Sequence, residues 1–212
     1  MATDVEVSYS IRAEEYIELL GSTTASHLSD VQLITSWARE VDGPVVDAGC
    51  GPGHWTSHLV DHGVDARGID QVAGFIRHAR ETYPAVSFEV GSIDALPYDS
   101  DSVGGVLAWY SLIHHPPATI GLVLSELARV LRPGGALLIG FFIGPAVEAF
   151  DHSIVTAYRW PAEALIAELR SAGLEMVEIH TRTGAQPKPR PHGAILARRS
   201  DDRTSARTEQ VC

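Results

Sequence analysis

The stretch VVDAGCGPGHWT, residues 45–56, limits what this chain can fold into more than any other part of it. An apolar, β-branched run ends at Val45 and Val46, and an acid follows at Asp47. Glycines then recur at every second position, Gly49, Gly51 and Gly53. Glycine reaches positive φ and lets the backbone approach a neighbour where a Cβ would clash. A strand, an acid and alternating glycines therefore read as a tight turn into a helix whose free N–H groups face whatever lies over the turn. The spacing also excludes. A dinucleotide loop needs its third glycine three residues after the second, and that position is His54. A carboxylate two residues ahead of the first glycine suits a ligand with a cationic amino group better than a pyrophosphate.

Around the loop, strand and helix alternate. IRAEEYIELL, residues 11–20, reads as an amphipathic helix ended by Gly21, and VQLITSWARE as a second one capped by Ser29 or Asp30. After the loop, a helix runs to Gly63, a short strand covers 64–69 and stops at Asp70, and a helix covers 72–82 until Pro84. AVSFEVGS is a third strand and 103–111 a fourth. IGLVLSELARVL is an amphipathic helix closed by a turn at ArgProGlyGly. Residues 136–144 are apolar throughout, as a parallel strand buried on both faces should be. The connection 144–160 is long, and such loops are often functional. A helix follows over 161–173 with proline in its first turn and glycine at its end. LEMVEIHTR and HGAILARR suit a final antiparallel pair, joined by a stiff proline-rich loop at 185–192. The pattern is α/β: a Rossmann-like, doubly wound, mostly parallel sheet with a C-terminal antiparallel strand pair. Ligands of such sheets bind beyond the carboxyl ends of the strands, at the switch point. The expected divisions are an N-terminal helical cap over 1–42, the ligand-binding domain over 43–199 and a frayed polar tail over 200–212.

The 212 residues suit one such domain. A formal net charge of −11 repels nucleic acid and anionic membranes. The two cysteines, Cys50 and Cys212, form no CxxC pair, which argues against a zinc site and a disulfide framework and for a reducing compartment. The first residues carry acids and no apolar core of a signal peptide, and no apolar run has the length of a membrane span. The expected location is the cytoplasm, with no metal, no nucleic acid and no membrane partner. The oligomeric state is open, a homodimer included.

The D-x-G-x-G-x-G pattern at Asp47–Gly53 resembles the first motif of class I S-adenosylmethionine-dependent methyltransferases. The likeness continues in order and spacing over about residues 40–198. VLAWYSLIHH, residues 106–115, and FFIGP…TAYRWP, between 141 and 161, further resemble a set of small single-domain bacterial members, which implies a small-molecule methyl acceptor. The resemblance implies S-adenosylmethionine as cofactor, held by Asp47, Ala48, Gly49, Cys50, Gly51 and Gly53 of the loop. It puts Asp70 on the ribose hydroxyls, with Gln71 beside it, and makes Gly91, Ser92 and Ile93 the adenine-binding segment. There the chain departs from the family, which often has Asp directly after the glycine; here Ser92 follows and Asp94 comes two places later. By the same resemblance Ala108, Trp109 and Tyr110, at the end of the fourth strand, are expected beside the methyl, and Tyr9 is expected to pack over the methionine end as a tyrosine of this region does in related enzymes. The turn LeuArgProGlyGly, 131–135, is read as structural.

Methyl transfer from a sulfonium is an in-line displacement, so it demands alignment above all. It also favours a dry, π-rich pocket that tolerates the cation. A hydroxyl or protonated amine must lose a proton as it is methylated, and histidine is the usual acceptor at neutral pH. His114 and His115 leave the fourth strand at the rim, and His114 is the expected catalytic base. His152 and His192 are weaker candidates, and Arg159 could meet a substrate carboxylate. The expected function is methyl transfer to an oxygen or nitrogen of a small molecule. The alternatives are a non-catalytic binder of S-adenosylmethionine and its demethylated product, and a nicotinamide-dependent oxidoreductase, which His54 disfavours.

Overall fold

All four residues of the strand ahead of the glycine loop are buried, which explains why it shows no polar alternation. The structure, a computed structural model, describes residues 4–20, 22–23, 26–152, 154–183 and 191–201. Its helices are α1 (Asp4–Ile11), α2 (Ala13–Leu20), α3 (Leu28–Glu40), α4 (His54–Asp61), α5 (Ala73–Thr82), α6 (Ile120–Val130) and α7 (Ala162–Ser171). Its strands are β1 (Val45–Ala48), β2 (Ala66–Asp70), β3 (Ser87–Val90), β4 (Val103–Trp109) and β5 (Leu131–Ile143), then β6 (Glu148–Phe150), β7 (Ala157–Trp160), β8 (Leu174–Arg182) and β9 (His192–Arg199).

β1 is central. β2 and β4 flank it, β3 lies outside β2 and β5 outside β4, all parallel. The order β3-β2-β1-β4-β5 reverses its direction of travel between β1 and β4, the switch point of a doubly wound sheet. β9 runs antiparallel along the other edge of β5, and β8 along β9. The period of two sorts each strand's side chains between faces. Val46, Val106, Ala108, Leu137 and Ile139 pack under α6 and α7. Val45, Leu107 and Leu138 pack under α3 and α4, against Ile34, Trp37, Trp55 and Leu59. α6 buries Ile120, Val123, Leu124, Leu127 and Ala128, the stripe its sequence spacing calls for.

Several boundaries differ from the sequence reading. The expected helix over 11–20 starts at Ala13 as α2, and an unexpected helix, α1, precedes it; the two meet at Arg12, whose N–H bonds the Tyr9 carbonyl in a turn. α3 begins earlier than Ser29 or Asp30: His27 caps it, its Nδ1 accepting from the Ser29 N–H at 3.2 Å. β2 starts at Ala66 rather than 64, and β4 stops at Trp109. Pro161 caps α7 instead of occupying its first turn. The LeuArgProGlyGly turn lies inside β5, as an irregularity between the Val103–Leu131 and Gly105–Ala136 pairs. The long connection 144–160 is itself a hairpin, β6 antiparallel to β7. β7 pairs with Phe142 and Ile143, just past the point where β4 stops pairing with β5 at Gly140. The hairpin therefore continues the line of β4 and overhangs the carboxyl end of the sheet. The proline-rich loop at 185–190 and the tail from 202 lie outside the described residues. Among the described residues, no helix is long and apolar enough to cross a membrane.

Candidate active site

β1 delivers Asp47 and Ala48 to the switch point, and the glycine loop is tied down there by the N–H groups of Gly49 and Cys50, both bonded to the Ile69 carbonyl. Its three glycines have different reasons to be glycine. A Cβ on Gly49 would fall 2.3 Å from Ser111 Cβ, and one on Gly53 2.7 Å from the Phe88 ring. Those two permit close packing. Gly51 has φ +54, and the nearest atom to a Cβ there is Tyr16 Cε1 at 4.0 Å. Gly51 borders both cavities of the site, so its missing side chain leaves open space facing them.

Asp70 closes the loop from β2. Its Oδ2 accepts from the Gly51 N–H at 2.9 Å and its Oδ1 from the Val72 N–H at 2.8 Å. Burial raises its pKa, and those two donors oppose the rise. Asp47 is buried, with Oδ2 accepting from the Thr56 hydroxyl at 2.7 Å. Burial pushes its carboxyl up to about 7, with Thr56 pulling the other way. Cys50 is a free, buried cysteine whose thiol burial holds well above its ordinary range.

Two adjoining cavities lie over this frame. The first, about 490 Å³, is bounded by Asp70, Gln71, Gly91 and Ile93 on one side and by His114 and His115 on the other. The second, about 640 Å³, is bounded by Asp47, Cys50, His54 and Trp55, and by side chains farther along the chain. Tyr9, Tyr16, Gly49, Gly51, Trp109 and Tyr110 border both. The structure thus gathers Tyr9, Asp47, Gly49, Cys50, Gly51, Asp70, Gln71, Gly91, Ile93, Trp109, Tyr110 and His114 around one space. Ala48, Gly53, Ser92 and Ala108 line neither cavity. Ala48 and Ala108 are buried in the sheet core, Gly53 backs onto Phe88, and the Ser92 hydroxyl bonds Asp94. Asp94, two places on, borders the first cavity.

His114 sits between the N-terminal helices and the hairpin. Its Nδ1 lies 2.8 Å from the Thr156 carbonyl oxygen, which can only accept, so Nδ1 carries the proton. Nε2 therefore presents a lone pair, and the Tyr9 hydroxyl donates to it at 2.9 Å. Burial lowers the His114 pKa and raises that of Tyr9, so both are neutral at neutral pH. His115 is committed elsewhere, with Nε2 3.0 Å from Asp94 Oδ1. Tyr9 is held by ring contacts with Tyr16 and Phe75 at 5.4 and 6.0 Å between centroids. Arg159 pairs with Glu148 and stacks on Phe150, bordering neither cavity.

Sequence reasoning missed Phe75 and Val72 in the first cavity and Asp30, Phe142 and Arg182 in the second. Arg182 of β8 pairs with Asp30 of α3 at 2.6 Å across 152 residues of sequence, a contact no local pattern announces.

The Methyltransferase domain family model matches residues 45–135. Demethylmenaquinone methyltransferase of Beutenbergia cavernae is 33% identical over 107 residues, 50% of this chain and 44% of that protein. The chain spans about half the length of the curated relatives it matches. Among solved structures, the 1,6-didemethyltoxoflavin-N1-methyltransferase of Burkholderia thailandensis, with 1,6-didemethyltoxoflavin and S-adenosylhomocysteine bound, superposes with a TM-score of 0.71 at 20% identity, covering 95% of this chain and 92% of that one. The cyclase SpnF gives a TM-score of 0.77 at 17% identity over 94% and 97%. Residues 45–135 thus match the methyltransferase-domain family, and the chain has the fold of the class I S-adenosylmethionine-dependent methyltransferases.

Proposed function

We propose that this protein transfers a methyl group from S-adenosylmethionine to an oxygen or nitrogen of a small molecule, with His114 accepting the proton. The observation that carries the reading is the orientation of His114. Thr156 fixes its tautomer, and its basic Nε2 faces the space over Gly51, held by a hydroxyl that an acceptor's O–H or N–H can replace.

The residues present suit the cofactor. The open space at Gly51 admits backbone contact, Asp70 offers its remaining lone pairs to ribose hydroxyls, and Gly91 and Ile93 border the same cavity. Bound there, S-adenosylmethionine supplies an electrophilic methyl on a sulfonium sulfur. Trp109, Tyr110 and Tyr9 surround the shared part of the two cavities with π faces that favour a cation. Asp47 and Asp70 add acidic character beneath it.

Calorimetry with S-adenosylhomocysteine and with NAD tests the ligand, and methyl transfer to a metabolite panel tests the reaction. Saturable binding of the nucleoside without NAD binding is expected; NAD binding alone would sink the reading. Asp70→Ala should cost roughly 2–4 kcal/mol of nucleoside affinity: two hydrogen bonds to a charged group at about 1.5–3 each, discounted for water that fills the gap. The second reading, a binder that does not methylate, is favoured by one observation: a cyclase has the same fold. Nucleoside binding with no transfer to any acceptor class would select it.

A further inference from the structure

Part of the second cavity's wall lies outside the glycine loop. Tyr110, Phe142, Arg182 and His192 reach it from the end of β4 and from β5, β8 and β9. Three of these are rings in mutual contact, with centroids 5.1 Å apart for Tyr110–Phe142, 5.5 Å for Phe142–His192 and 5.7 Å for Tyr110–His192. Tyr110 has φ +57, a left-handed backbone that bulky residues rarely adopt and that persists only where the surroundings impose it. The phenol oxygen lies 2.6 Å from His192 Nδ1. Gly140 clears the space behind: a Cβ there would fall 2.9 Å from Trp109 and 3.2 Å from Tyr110. In this conformation Tyr110 borders both cavities.

At the polar corner of the same wall, Arg182 Nη2 pairs with Asp30. Arg182 Nε is buried and has no hydrogen-bond partner among the described residues. A buried donor left unmade is costly, and a ligand oxygen would satisfy it. Asp30 already neutralises the guanidinium and would repel a second carboxylate, so the fitting oxygen is uncharged.

We propose that this wall bounds the methyl-acceptor chamber, and that the acceptor is a planar aromatic or heteroaromatic molecule with an uncharged carbonyl or ether oxygen toward Arg182. The inference rests on the methyl-transfer reading above. The ring packs edge-on or offset against Tyr110, Phe142 and His192. Its O–H or N–H points toward His114, which borders the adjoining first cavity and whose ring lies 5.4 Å from that of His152 in the second. In the transfer, the acceptor's oxygen or nitrogen bonds the methyl carbon and the carbon–sulfur bond breaks with its electron pair passing to sulfur. The acceptor's proton goes to His114 Nε2.

The test is calorimetry and saturation-transfer NMR on the full chain saturated with S-adenosylhomocysteine. The probes are para-hydroxyacetophenone and hydroxytetralone, their ring-saturated counterparts acetylcyclohexanol and hydroxydecalone, and para-hydroxybenzoate. At least one aromatic ketone should bind about tenfold more tightly than its saturated counterpart and than the benzoate, the scale of one or two ring contacts. Phe142→Leu, which keeps apolar bulk and removes the ring, should erase the aromatic preference. Arg182→Gln should erase the preference for para-hydroxyacetophenone over para-ethylphenol, a further probe that lacks the ketone oxygen. Both should leave nucleoside affinity within about twofold. Equal binding of aromatic and saturated probes, a preference for the benzoate, no saturable binding of any probe, or a preference that survives Phe142→Leu would overturn the proposal. The nucleoside affinity, read in the same samples, separates the two failures. If it binds and the transfer assay above finds activity, only the chamber is wrong; if it does not bind, the methyl-transfer reading falls as well.

Discussion

His114 shows what a position in sequence can and cannot say. Its place after the fourth strand puts it at the rim, but only the Thr156 carbonyl, 42 residues away, decides which nitrogen is basic. Burial lowers its pKa, so the neutral form prevails at neutral pH. Turnover should be flat from neutral to mildly alkaline pH and fall in acid, below the ordinary histidine range. His114→Ala should lower turnover by about 10²–10⁴-fold on an acceptor that must be deprotonated, with nucleoside affinity nearly unchanged. Because Asp94 engages His115, His115→Ala serves as the neighbouring control, and full activity in His114→Ala with loss in His115→Ala would exchange the roles. Asp47 makes a second prediction at this scale. Its folded pKa of about 7 lies above the ordinary 3.8, so an unfolded chain gives up this proton first as pH rises. The contribution to stability is full below about pH 4 and lost as pH rises through about 7. Asp47→Asn keeps an acceptor for Thr56 without the charge. It should flatten that slope and add roughly 2–4 kcal/mol at pH 8, read from urea midpoints. His54, pushed down to about 4 by burial, works in the opposite direction, costing stability as pH falls below 6.5.

Among the elements, the parallel strands and α6 were legible because local pattern and final environment agree: β5 is apolar because it is buried, and α6 is striped because one face is. The β6–β7 hairpin was not legible. Its strands are three and four residues long, and no glycine or asparagine turn marks the reversal between them. Its existence depends on β5 running past the end of β4, which leaves an edge at Phe142 and Ile143 for β7 to pair with. The glycine pair in β4 is likewise explained only by tertiary contact. A Cβ on Gly104 would lie 2.1 Å from the Asp42 carbonyl oxygen, where the α3–β1 connection crosses the strand. Gly104→Ala should therefore cost roughly 3 kcal/mol, the upper range for overpacking, in urea denaturation. An unchanged midpoint would mean that this connection yields.

At the scale of the molecule, α1 and α2 close the site from outside the sheet. They hold on through Tyr9 on His114, and through Tyr9, Ala13 and Tyr16 against Val72 and Phe75. Two helices of eight residues are too short to be stable alone in water, so their order depends on that docking. Tyr9 and Tyr16 both border the cavities, so on the proposed reading a ligand beneath them would add contacts with these helices. Hydrogen exchange of the amides in 4–20 should be fast in the free protein and slow by at least about tenfold with S-adenosylhomocysteine, while β1 and β4 remain protected throughout. Exchange in 4–20 that ignores the nucleoside would remove these helices from the site.

The sequence by itself determined the sheet's class and the switch point. Both follow from short-range patterns: apolar runs, helical stripes, and glycines whose spacing is read over seven residues. It also determined that Asp47, Gly51, Asp70 and His114 would meet, because each ends a parallel strand or follows one, and those ends converge in any doubly wound sheet. The tertiary structure decided the rest. Which glycine faces open space, which nitrogen of His114 is basic, and which arginine reaches the cavity all depend on contacts between residues far apart in the chain. Arg182 rather than Arg159 borders the second cavity because β8 and β9 fold back along β5 toward α3, while the β6–β7 hairpin pairs its own arginine with Glu148. Such pairings depend on the packing of whole elements, and no window of sequence contains them.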